Sequence, residues 1–142
     1  MKSCRSGTGS PASRIVPALI LSGCLALPVA IAAPPFAPEA ICRTAIGSIM
    51  GRDPRLMQVT RIDGDILFLS YVRPIDTFVW DYRCRIEGSR VVWASEPGRW
   101  RDDPKDGKVF FEIVGGGNQL LIIWDRGDGP PTKELFDRDK IL

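Results

Sequence analysis

The chain of 142 residues contains no histidine, so it can build neither a Ser-His-Asp nor a Cys-His nucleophile, and it has no imidazole base. Carboxylates, Tyr and Lys remain for acid–base work, but no pair of acids stands at a spacing that singles it out. Asp102-Asp103 with Asp106, beside Pro104 and Gly107, reads as a solvated turn. Asp125-Arg126-Gly127-Asp128-Gly129 lacks the alternating oxygen ligands and the distal Glu of a calcium loop, and its Arg126-Gly127-Asp128 triplet falls where a turn is expected. Zinc would need about four donors, and there is no Cys-x-x-Cys. No catalytic residue, metal or cofactor is therefore expected.

What the chain does offer is arginine interleaved with aromatic residues: Tyr71, Arg73, Trp80, Tyr82, Arg83, Arg85, Arg90, Trp93, Arg99, Trp100 and Arg101. Tyr, Trp and Arg dominate interface hot spots because they bury much area while keeping a polar handle. Trp100 stands apart, flanked by Arg99 and Arg101 in a loop between Pro97 and Pro104. The expected binding group is Trp100, Arg99 and Arg101, with Arg83 and Arg85 on an adjoining sheet face. The competing expectation is structural. It puts Trp80, Tyr82 and one side of Trp93 in the core, pairs Arg83 and Arg85 with Asp81 and Glu87, and folds Trp100 over the open end of a barrel.

The formal charge of +2 contains three basic residues from the first 32 positions, which hold no acid. From Ala33 onward 16 basic residues face 17 acidic ones, a net −1. Such a balance gives no long-range attraction to nucleic acid or to an anionic membrane surface, so no nucleic-acid partner is expected. Lys2, Arg5 and Arg14 precede an uncharged run from Ile15 to Ala33 that ends in Ala30-Ile31-Ala32-Ala33, the layout of an export signal. Cleavage after Ala32 divides the chain into a signal (1–32), a Pro-rich spacer (33–38) and a single domain (39–142). A retained membrane helix is disfavoured by Pro17, Gly23 and Pro28 within the run. The alternative is Leu21-Ser22-Gly23-Cys24, a pattern that precedes acylated cysteines. Lipidation at Cys24 would make the protein membrane-anchored instead of freely periplasmic or secreted. Cys42 and Cys84 remain in the domain, and two cysteines in an exported domain most simply pair. Closing that loop of about 42 residues stabilises by roughly 4 kcal/mol on the chain-entropy model.

The elements that position these residues are legible from periodicity. Pro38 to Met50 predicts a short helix, with Ile41, Ala45 and Ile49 in one row and Cys42, Ile46 and Met50 in the next. Strands are predicted over 56–62, 65–72, 77–87, 90–94, 108–114 and 119–125, with a seventh over 132–136. In the third, Phe78, Trp80, Tyr82, Cys84 and Ile86 share one face, while Asp81, Arg83, Arg85 and Glu87 share the other. The expected architecture is mostly β: a curved antiparallel sheet or small barrel of six to seven strands, with one N-terminal helix packed on it or plugging it.

Val72-Arg73-Pro74, Trp80-Asp81-Tyr82-Arg83-Cys84-Arg85-Ile86-Glu87-Gly88, Arg90-Val91-Val92-Trp93-Ala94 and Gly98-Arg99-Trp100-Arg101 together make the stretch from Cys42 to Trp124 resemble small uncharacterised exported proteins of alphaproteobacterial type. That resemblance implies export in a Gram-negative bacterium and carries no activity onto these residues. A looser similarity, of architecture and compartment alone, is to periplasmic lysozyme inhibitors. The leading expectation is an exported, non-enzymatic binding module with a protein or small-molecule partner in the cell envelope. The alternatives are a small carboxylate-dependent periplasmic enzyme with two close acids of raised pKa, or a structural lipoprotein anchored through Cys24.

Overall fold

The computed structural model describes residues 36–142, so the expected export signal, its expected cleavage point and Cys24 lie outside the described residues. The described residues form one compact unit. Helix α1 (Pro38–Met50) starts with proline at its first position, where a missing N–H costs nothing, and carries Glu39 in its first turn. It stops at Gly51, whose left-handed backbone (φ 61°) lets the Gly51 and Arg52 amides donate back to the Ser48 and Gly47 carbonyls. Gly47 is also obligatory, because a Cβ there would meet the Arg52 carbonyl at 2.9 Å as the chain folds back against the helix.

Seven strands follow: β1 (Met57–Asp63), β2 (Ile66–Val72), β3 (Val79–Glu87), β4 (Arg90–Glu96), β5 (Lys108–Val114), β6 (Gln119–Asp125) and β7 (Thr132–Asp137). They form a single antiparallel sheet in sequence order, a meander in which each strand pairs with the next. The sheet does not close. Among the described residues β1 and β7 each have one strand neighbour, so of the two expected forms the curved sheet with the helix packed on it is the one found, and the barrel plugged by a helix is not. The reason is geometric: about eight strands enclose only enough room for side chains, and a helix with side chains is about 10–12 Å across. Seven strands curve around α1 and stop.

The concave face and the inner rows of α1 make the core: Phe36, Ala40, Ile41, Ala45 and Ile46 pack against Met57, Leu67, Leu69, Tyr71, Tyr82, Val91, Val109, Leu120 and Ile122. Cys42 and Cys84, both fully buried, join the helix to the middle of β3 with their Cα atoms 6.0 Å apart. Two independent periodicities, one helical and one of strand type, put both sulfurs on the same interface. A domain stapled this way folds in an oxidising compartment, outside the reducing cytoplasm. No helix among the described residues is long and apolar enough to cross a membrane.

The two ends of the sheet differ. At one end the connections are tight: Gly64-Asp65 and Gly88-Ser89 are two-residue turns with Gly64 and Gly88 left-handed, and Gly115–Gly117 form a short 3₁₀ turn. At the other end lie the C-terminus of α1 and three longer loops, 73–78, 97–107 and 126–131. We call these the turn end and the loop end.

Candidate functional site

Strand β4 pairs with β5 over only Arg90↔Phe110 and Val91↔Val109, after which the two strands diverge toward the loop end. Loop 97–107 fills the wedge, and its Arg101 amide donates to the Trp93 carbonyl at 2.8 Å, as a neighbouring strand would. Extended backbone alternates sides, so Trp100 falls on the convex face and Arg101 on the concave face.

On the convex face Trp100 is clasped by the guanidiniums of two other expected binding residues, Arg83 and Arg85, at 4.9 and 4.4 Å from its ring centre. Every arginine of this group has an acid. Arg83 lies 2.6 Å from Glu96 and also donates to the Gly98 carbonyl. Arg85 holds Glu87 at 2.7 Å and Asp102 at 3.0 Å. Arg99 grips Asp106 with two bonds of 2.7 Å, and that guanidinium holds the Asp106 carboxyl below its ordinary pKa. Val92 and Ala94, which share this face by register with Arg85 and Arg83, are fully buried yet lie outside the main core. Trp100, on the same face, shields them, so the clasp works as a second small core that caps the wedge.

The concave face at the loop end is different. Tyr71, Trp80, Tyr82, Trp93 and Trp124 form a row of rings across it. A cavity of about 120 Å³ is lined by Met50, Arg52, Tyr71, Trp80 and Tyr82. A second of about 160 Å³ lies between Trp93 and Trp124, with Arg101, Asp106, Gly107 and Arg126 around it. The Tyr82 and Trp93 rings, 6.4 Å apart, separate the two. Burial raises the Tyr82 phenol above its ordinary pKa, which keeps it neutral. Three guanidiniums lie over this row: Arg52 at 5.5 Å from the Tyr71 ring, Arg101 at 5.7 Å from Trp93, and Arg126 at 5.0 Å from Trp124. Arg126 reaches Asp128 only at 4.0 Å. Neither Arg52 nor Arg101 has a carboxylate partner among the described residues.

Beside this row the β2–β3 hairpin carries the apolar residues that the core does not take. Ile75 is 88 % exposed, Phe78 54 %, Val72 50 %, Val79 48 % and Trp80 43 %. Trp80, expected in the core, is corrected to a surface position. Its rung with Tyr71 is next to last in the β2–β3 ladder, and from the end of α1 Met50 and Arg52 line a cavity with it. The hairpin is braced. Arg73 is forked onto Asp76, the Asp76 carboxylate also accepts from the Phe78 amide, and the Arg73 backbone bonds to both Phe78 and Thr77.

Of the five predicted binding residues, four are thus gathered into or beside the convex clasp, and Arg101 alone faces the concave row. Arg52, Arg126, Trp124 and the tip residue Ile75 were not expected there. Among the described residues no cluster of three or more metal-ligating side chains occurs. No protein-family model, curated protein or solved structure matches this chain, so the geometry stands on its own.

Proposed function

We propose that this protein is a non-enzymatic binding module of the bacterial cell envelope, exported to the periplasm or the medium, that engages its partner with the loop end of the sheet. The observation that carries the reading is a division among the arginines. Those of the convex clasp are matched to Glu96, Glu87, Asp102 and Asp106, whereas Arg52 and Arg101 lie over aromatic rings and form no ion pair among the described residues, the Asp106 near Arg101 being held by Arg99. Unmatched cations held over rings, next to a braced apolar hairpin, are a preorganised surface for an anionic or amphiphilic partner.

The rival reading, a carboxylate-dependent enzyme, calls for acids of raised pKa. Asp53, Asp76, Asp106 and Asp137 are instead all held below the ordinary range, the first three mainly by arginine and the last by Gln119 and Lys140.

A photo-crosslinking residue placed at Phe78, and separately at Lys133 on β7, tests the reading in cells that export the full chain. Adducts from position 78, to a protein or to lipid, and none from 133 are expected. The same labelling from both positions, or none from 78, would overturn it.

A further inference from the structure

We infer that the loop end docks on the surface of an anionic lipid bilayer, with the β2–β3 hairpin entering the acyl boundary and the unmatched arginines meeting lipid phosphates. The inference rests on the reading of the loop end as the binding end and names its partner.

The argument starts from shape. The exposed apolar residues stand on a hairpin tip, not in a groove. A protein partner would have to supply a pocket for Ile75, while a bilayer accepts a convex apolar element without one. The side chains are ordered as an interface requires. Aliphatic Ile75 is at the apex, with Val72 and Val79 behind it on one side. Phe78 and Trp80, their rings 5.3 Å apart, are behind it on the other. Arg73 stands in the tip at the level of Phe78, its charge taken up by Asp76, and Arg52 over Tyr71 lies behind, at the rung of Trp80. An apolar tip whose own charges are paired, with an unpaired guanidinium behind its aromatic residues, suits the passage from acyl chain to headgroup.

Electrostatics agree at short range. The one acid in the tip, Asp76, is neutralised by the Arg73 fork, so no bare carboxylate would be carried into the interface. Arg52 and Arg101, on the same end, form no ion pair among the described residues, Asp106 beside Arg101 being engaged by Arg99, and both can turn to phosphate. The net charge of −1 from Ala33 onward provides no long-range pull. Docking is therefore driven by the apolar tip, with the arginines selecting the headgroup.

The test is flotation of the exported protein, its mature mass established, with vesicles of phosphatidylethanolamine and phosphatidylglycerol (7:3) and with phosphatidylcholine vesicles. A Cys24→Ser background removes acylation as a second route to the membrane. The expected result is flotation with the anionic vesicles and a blue shift of tryptophan emission. Ile75→Asp, at a position 88 % exposed and so harmless to folding, is expected to lower the partition at least tenfold. Arg52→Gln with Arg101→Gln is expected to abolish the preference for anionic over phosphatidylcholine vesicles. Absence of flotation, or flotation undiminished by Ile75→Asp, would overturn the inference. If vesicles fail while Phe78 still crosslinks to a discrete protein, the bilayer is the wrong partner and the binding end stands. If both fail, both readings fall.

Discussion

Thr77 is the one non-glycine residue with a positive φ among the described residues, at 58°, and it is β-branched, the type that tolerates this region least. Its hydroxyl donates to the Asp76 carbonyl, a local bond that offsets only part of the strain. Replacing it with glycine removes a left-handed penalty of roughly 1–2 kcal/mol and adds roughly 0.5–1 kcal/mol of backbone entropy. Thr77→Gly should therefore raise stability by about 0.5 kcal/mol in a urea titration while vesicle flotation is kept. A chain that holds threonine here keeps a stiff tip at the expense of stability. Asp106 makes a pH prediction. Its folded pKa lies below the ordinary 3.8, so the Arg99 contact stabilises fully above that value and its contribution is lost as the pH falls below it. The urea midpoint of the parent protein should drop as the pH is taken from about 4 to about 2, and that of Asp106→Asn should drop less. Residue roles were only half legible in the sequence. The pattern Arg99-Trp100-Arg101 marks a special loop, but whether each guanidinium finds an acid depends on contacts between strands such as Arg85 with Asp102, which no local spacing encodes.

At the scale of elements, strand positions were readable because turn residues punctuate them: Gly64, Gly88 and Gly115–Gly117 all take positive φ where hairpins reverse. What spacing could not reveal is how far each ladder zips. The β4–β5 pair shares two rungs while β3–β4 shares seven, and the missing rungs are replaced by loop 97–107 and its tryptophan. Trp100→Ala should unroof Val92 and Ala94 and cost about 2 kcal/mol, less than a fully buried tryptophan because the ring is partly exposed. Hydrogen exchange is the decisive readout: the Arg101 amide, bonded to Trp93, should lose protection in this variant while the β5–β6 ladder keeps its own. Equal loss in both would mean that the clasp supports the whole sheet and not the wedge alone.

Across the whole molecule, the open sheet and its helix are held by a single covalent tie. Replacing Cys42 and Cys84 with alanine should lower stability by about 4 kcal/mol, given the separation of 42 residues, and reducing agent should lower the guanidinium midpoint of the parent protein but not of the double variant. Fold class was legible because alternation and turns are local; closure was not, because it depends on whether β7 can reach β1 around a helix. The same long-range placement gives the molecule a direction. Phe36 and Pro38 begin the described chain at the turn end, and the 13-residue helix carries the chain about 20 Å toward the loops. A pull applied to the described chain at Phe36 therefore works like a leash fastened to the handle of a tool: the blunt turn end faces the hand, and Ile75 stands at the far end.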